Sequence, residues 1–327
     1  MIFKIINKIT DTRMKNILLL GGYGFIGTNI LKYIDNYLPD EYSVIVFDMF
    51  STHPYGETFN CIKRSYEGNF SNKTVLRSIF QENIIDFVIH SINTTVPSTS
   101  MNARFDIESN LLPTIDLLDL LVEFRISDII FLSSGGAVYG EMTDNEPHKE
   151  SNAEFPKSSY GVVKLAIEKY LLQYREYYGI RPLILRLSNP YGRYHYSMKQ
   201  GIINVSLKHA EMNRLFEVWG NGEAMKDYIF IDDFCNILFR MITLGVTDGV
   251  YNVASNEILS INQILANIKD HFPDFSWINI ENKKSDITHF QLNTSKLLNA
   301  IGNVPLTSFA NGLANTIQWM KSENPGG

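Results

Sequence analysis

At 327 residues the chain is long enough for a large core in one or two domains, and its 45% apolar and 20% charged residues are ordinary for a globular protein. A net charge of −6 without a lysine or arginine run gives nucleic acid no electrostatic footprint, so an anionic ligand must be met by a few placed cations. Cys61 and Cys235 form no CxxC and the seven histidines form no HxxxH, which argues against a disulfide framework and against a metal site.

The N-terminal "MIFKIINKIT" is mildly amphipathic, too short to span a membrane and without a small-residue cleavage site. Residues 1–13 read as an extension. No stretch reaches the roughly 20 apolar residues of a transmembrane helix, so the expectation is a cytoplasmic protein with no membrane partner. Apolar runs then follow at 16–20 (NILLL), 43–48 (SVIVFD), 86–91 (DFVIHS), 128–133 (DIIFLS) and 182–187 (PLILRL). Helical patterns separate them at about 25–37, 72–81, 103–124 and 158–178, with a kink or break expected at Pro113. Continuous apolar strands alternating with helices indicate an α/β fold with a doubly wound parallel sheet.

After residue 188 the rhythm changes. "SNPYGRYHYSMKQG" is rich in turn formers, and "FEVWGNG" does not continue the alternation. "GVYNVAS" (249–255) reads as a strand that revisits the first sheet, and the chain ends in a helix, "FANGLANTIQWMKSE". The expected division is a Rossmann domain from 14–187 plus about 224–256, and a smaller interleaved α/β lobe from 188–223 plus about 257–327.

"NILLLGGYGFIG" sets Gly21, Gly24 and Gly27 directly after the first strand and at the start of a helix. Glycines there allow a tight turn and close backbone approach to a pyrophosphate resting on the positive helix end. Asp48 closes the second strand 21 residues after Gly27, where a carboxylate accepts from ribose hydroxyls and repels a 2′-phosphate. NAD is therefore expected over NADP. Further on, "YGVVK" places Tyr160 and Lys164 one helical turn apart on one face. An ammonium close to a phenol, together with the positive nicotinamide ring, favours the phenolate, so a lowered Tyr160 pKa and a general base are expected in the cofactor-bound site.

The GxxGxxG spacing, "YGVVK" and "SSGGAVYG" together resemble the extended short-chain dehydrogenase/reductase family, and its NAD-dependent nucleotide-sugar epimerase/dehydratase branch in particular. The resemblance implies that Tyr160 is the base, that Lys164 also holds the nicotinamide ribose, and that two copies pair through the helices near 103–124 and 158–178. It adds Phe25, Ile26, Asn69, Phe70, Ser91, Asn110 and Ser133 to the cofactor side. A nucleotide-diphosphate sugar is the implied substrate, with Asn189, Lys226 and Lys283 toward its phosphates, Gln200 among the substrate-binding residues, Trp219 on its base and Phe290 near the sugar ring. Trp219 fits a packed core as well as a stacking platform, and Lys283 with Lys284 fits a solvated pair as well as a phosphate site.

In the same family a hydroxyl four residues before the tyrosine of "VYG" helps to move the substrate proton. That position is Gly135 here, which makes Ser134 the expected replacement, while Ser133 either bonds near the nicotinamide or ends the strand. The dehydratases of the branch carry an acid–base pair where this chain has Gly136 and Ala137. A UDP-hexose 4-epimerase is therefore the expected activity. A 4-ketoreductase, a UDP-N-acetylhexosamine 4-epimerase and a non-catalytic NAD-binding regulator are its alternatives.

Overall fold

A computed structural model of the protein describes residues 13–95, 102–141, 146–198, 200–281 and 289–323. The expected 1–13 extension and Lys283 therefore lie, all but Arg13, outside the described residues. In chain order the strands are β1 (Lys15–Leu20), β2 (Tyr42–Asp48), β3 (Ile62–Glu67), β4 (Phe87–His90), β5 (Asp128–Ser134), β6 (Arg181–Leu187), β7 (Asn189–Tyr191), β8 (Phe216–Trp219), β9 (Met225–Phe230), β10 (Gly249–Val253), β11 (Ile258–Ser260), β12 (Trp277–Ile280) and β13 (His289–Phe290). The helices are α1 (Phe25–Tyr37), α2 (Lys73–Glu82), α3 (Ala103–Asp106), α4 (Leu112–Glu123), α5 (Gly135–Tyr139), α6 (Ser159–Tyr178), α7 (Ile202–Glu211), α8 (Ile231–Thr243), α9 (Ile261–His271), α10 (Ser295–Ile301) and α11 (Phe309–Glu323).

Seven strands form one parallel sheet in the order β10-β6-β5-β4-β1-β2-β3. Its core follows the period of two: Ile17 and Leu19 pack with α1 and α8 residues on one face, Leu18 and Leu20 with α2, α4 and α6 residues on the other. The strand order reverses between β1 and β4, which opens a crevice at their carboxyl ends, the place where such sheets bind ligands. β10 joins this sheet, as its sequence indicated. β3 was not legible, because "IKRSYE" is an edge strand whose side chains are half exposed and carry no apolar run.

Pro113 does not break its helix. A π-helical turn (Ile107–Leu111) precedes it, so the widened turn takes up the proline clash with the carbonyl four residues earlier. The remaining chain builds smaller sheets, with β11, β9, β13 and β7 in one and β12 beside β8 in another. They share a separate apolar core that includes Tyr191, Leu207, Val218, Phe230, Leu265, Phe275 and Leu313. No helix among the described residues is long and apolar enough to cross a membrane.

Candidate active site

At the carboxyl end of β1 the chain turns at Gly21, whose φ of +81° is in the left-handed region that favours glycine. Its N–H donates to the Phe47 carbonyl at 2.8 Å, which ties the turn to β2. Gly24 is the N-cap of α1 and leaves the helix end without a covering side chain, with Phe25 and Ile26 in the first turn. A Cβ at Gly27 would run into the Gly21 carbonyl oxygen and come within 2.7 Å of Gly22, so a side chain there would force the helix away from the turn. Ser91, after β4, closes the other side by donating its hydroxyl to the Leu20 carbonyl at 2.7 Å. Asp48 accepts from the Tyr23 and Met49 N–H groups at 2.9 and 2.7 Å; burial pushes its pKa up and these bonds pull it down.

Other residues expected on the cofactor side have their side chains committed to the protein. Asn69 accepts from the Ser71 N–H at 2.9 Å, and the Phe70 ring is buried edge-on to His90 rather than standing as a free wall beside a base. Asn110, buried in the π-helical turn, accepts from the Thr94 N–H at 2.9 Å and donates to the Thr94 hydroxyl at 2.7 Å. It thereby anchors the loop that follows β4.

α6 begins at the N-cap Ser158, which accepts from the Gly161 N–H. A side chain at Gly161 would strike the Ala137 carbonyl, so α5 and α6 meet at van der Waals distance. This approach carries Tyr160 to the end of β5, where the Ser134 hydroxyl is the polar group that opposes the rise of its pKa. Lys164, 4% exposed, donates to the Leu132 carbonyl at 2.8 Å and lies 6.0 Å from the Tyr160 ring centre. The chain alone sets the starting protonation balance, before the positive nicotinamide ring adds its field. Burial pushes the Tyr160 phenol up to about 12, with the Ser134 hydroxyl pulling it back, and burial brings the Lys164 ammonium down to about 7. In the chain alone the cost of burying a phenolate outweighs the nearby ammonium.

The structure also separates the two serines that end β5. A Cβ at Gly135 would lie 2.8 and 2.9 Å from the methyl groups of Leu292 and 3.2 Å from the Phe290 ring. Those side chains fill the place of a residue-135 side chain, and the hydroxyl that meets Tyr160 comes from Ser134 instead. Phe290, expected beside the sugar ring, is 1% exposed and packed behind Gly135 and Gly136. Ser133, expected near the nicotinamide, donates to Glu168. Glu168 in turn accepts from Arg186 Nη2 at 2.7 Å, and the same Nη2 reaches Glu154 at 2.7 Å.

Glu168 and Arg186 escaped the sequence reading. The usable signal was their spacing: Glu168 follows Tyr160 and Lys164 at the same one-turn interval along a helix that packs on a sheet.

On the smaller sheets, Asn189 donates to the Asp227 carbonyl at 2.8 Å and Lys226 is partly buried on β9. Gln200 is exposed just before α7, and Trp219 is 57% exposed at the end of β8, so a core role for this tryptophan is excluded.

Residues 17–254, a span that takes in the glycine turn, Asp48, Ser134, Tyr160, Lys164 and Trp219, match the model of the NAD dependent epimerase/dehydratase family. The chain belongs to this family. It is 29% identical over 316 residues to a putative UDP-glucose 4-epimerase of Methanocaldococcus jannaschii, covering 94% of this chain and 99% of the relative. The fold superposes on the UDP-glucose 4-epimerase of Thermus thermophilus in complex with NAD at a TM-score of 0.85 and 24% identity, over 94% of this chain and 99% of that one. A UDP-N-acetylglucosamine 4-epimerase from Methanobrevibacter ruminantium, in complex with UDP-N-acetylmuramic acid, gives 0.84 at 25% identity over 95% and 99%.

NAD is the cofactor of this epimerase/dehydratase family member, and the crevice fits it. The Gly27 cradle admits no Cβ, the α1 end is uncapped by any side chain, and Asp48 stands at the next strand end.

Proposed function

We propose that the protein is a 4-epimerase of a nucleotide-diphosphate hexose, with UDP-glucose and UDP-galactose as its pair. The observation that carries this reading is the Ser134–Tyr160–Lys164 constellation at a strand end where positions 136 and 137 are glycine and alanine. A dehydratase needs a further acid and base to expel water, and neither residue can transfer a proton.

The backbone of Gly21, Gly24 and Gly27 would hold the pyrophosphate, Asp48 the adenosine ribose and Lys164 the nicotinamide ribose. Bound NAD supplies a hydride acceptor that returns the hydride to C4, and a positive ring that favours the Tyr160 phenolate. Tyr160 takes the C4 hydroxyl proton, sharing it with Ser134, and gives it back after the keto sugar has turned over. Trp219 stacks on the base while Asn189, Gln200 and Lys226 face the diphosphate, so the nucleotide stays bound as the sugar swings. Lys226 is a point charge without the guanidinium fork, which leaves orientation to the stacking and the amides.

Two copies pair in this reading through the α3–α4 region and α6. Phe105, Ile107 and Leu112 on the first, and Val162, Tyr170 and Tyr177 on the second, expose large apolar side chains. Light scattering should give twice 37.4 kDa.

The deciding assay supplies the purified holoprotein with UDP-galactose, UDP-GalNAc and a 4-keto sugar nucleotide, without added NADH. Interconversion of UDP-galactose and UDP-glucose is the expected result. Turnover of UDP-GalNAc alone would move the reading to N-acetylated sugars, and stoichiometric NAD(P)H consumption on the keto sugar would replace it with a reductase. Bound NAD with no turnover would indicate a regulator.

A further inference from the structure

Tyr160, Lys164 and Glu168 recur at one-turn spacing along the face of α6 that packs on the sheet. The proposed chemistry uses the first two and gives Glu168 no task. Glu168 is 1% exposed, and a carboxylate so placed costs several kcal/mol unless it is paired and hydrogen-bonded. Its partners are Arg186, which approaches from Nε at 3.1 and 3.2 Å and from Nη2 at 2.7 Å, and the Ser133 hydroxyl. Ser133 and Arg186 are register neighbours on β5 and β6, so the sheet itself sets the width of this clamp. Leu132, the residue before Ser133, accepts the Lys164 ammonium, and Ser134, the residue after it, meets the Tyr160 phenol. Three consecutive residues of one strand thus receive Lys164, Glu168 and Tyr160.

We infer that Glu168 is the positioning residue of this site: clamped by Arg186 and Ser133 one helical turn beyond Lys164, its carboxylate places buried negative charge on the Lys164 face of the helix and fixes the strand end that presents Ser134 to Tyr160. The inference rests on the reading of Tyr160 and Lys164 given above.

The groups facing Lys164 from the neighbouring elements leave this task to Glu168. His90 on β4 is brought down to about 3 by burial and then by Lys164, so it is neutral. Burial pushes the phenol of Tyr160 on α6 up to about 12, so it is neutral as well. Arg186 on β6 is a cation, and Glu154, before α6, is engaged by Arg186 and Lys169. Burial lowers Lys164 to about 7, and the Glu168 charge opposes that fall. Without Glu168 the ammonium loses its proton at a lower pH still.

The test is the pH profile of the holoenzyme carrying Glu168→Gln, read as kcat and, independently of activity, as bound NAD per chain after gel filtration. The alkaline limb of kcat should move down by about one pH unit, the smaller end of the effect of one nearby opposite charge. NAD loss on raising the pH should begin correspondingly earlier, with KM for the nucleotide sugar unchanged. An unmoved limb with normal NAD retention overturns the inference, whatever the yield of folded protein. Where Glu168→Gln alone does not fold because Arg186 is stranded, Arg186→Met is added to both arms, so that Arg186→Met with and without Glu168→Gln gives the limb shift due to Glu168 with no stranded guanidinium in either. Tyr160→Phe separates the two levels. If that variant keeps its turnover, the reading of the site fails; if it loses turnover while the Glu168 limb stays put, the fault lies with Glu168 alone.

Discussion

The carboxyl end of the seven-stranded sheet and the outer rim of the smaller lobe hold their candidate ligand-binding residues differently. At the first, Asp48, Ser91, Asn110, Ser133, Lys164, Glu168 and Arg186 are each bonded to the protein, most of them buried. On the second, Trp219 and Gln200 stand in solvent. The contrast teaches where geometry must be fixed before a ligand arrives. Proton and hydride transfer need atoms held to fractions of an ångström, which buried bonded side chains provide. Recognition of a nucleotide needs a face to stack on and a few donors, which exposed side chains supply on contact.

Substitutions on either side can break or sharpen this contrast. The largest effect is expected from Tyr160→Phe, which should lower kcat by roughly 10²–10⁴-fold while NAD remains bound. Quenched assays together with NAD content measure both, and near-normal turnover would remove Tyr160 from its role.

Gly27→Ala comes next. Its methyl group would strike the Gly21 carbonyl, so the chain should lose about 1–3 kcal/mol of stability and release its NAD. Thermal melts and NAD content check it, and a variant that melts and binds like the parent would refute the cradle.

Ser134→Ala should reduce kcat about tenfold or somewhat more, the worth of one hydrogen bond to a developing charge, with KM held. Adding Gly135→Ser to that variant should not restore activity, because the new Cβ meets Leu292 rather than Tyr160. Recovery in the double variant would show that the serine position is interchangeable.

The smallest effect belongs to the open side. Trp219→Ala removes a stacking contact of roughly 1–3 kcal/mol and should raise KM about tenfold. Its kcat and melting temperature should match the parent, because the side chain is exposed. A fall in kcat as large as that of Ser134→Ala would erase the distinction between the two regions.

Much of the parallel sheet was legible because strands buried on both faces read as unbroken apolar runs. The glycine turn and the Tyr160–Lys164 pair were legible because both are local: neighbours in sequence are neighbours in space. The edge strand β3 was not, since its half-exposed "IKRSYE" has neither an apolar run nor a burial pattern of its own. The surroundings of Phe290 and Ser133 were not legible for a different reason. Each packs or bonds with a partner distant in the chain, Gly135 for the first and Glu168 for the second.

By itself, then, the sequence determined the α/β architecture, the NAD crevice and the helical turn that puts a tyrosine and a lysine on one face. The missing side chain at Gly135 already pointed to Ser134, and tertiary structure alone supplied the reason why no side chain fits at 135. The reason is Leu292, which β13 and the His148 bridge lay across the end of β5, and such packing has no signature at position 135. Tertiary structure likewise sets how far burial raises the Tyr160 phenol in the chain alone. Local spacing shows the neighbouring ammonium, whereas desolvation depends on everything that folds around the phenol.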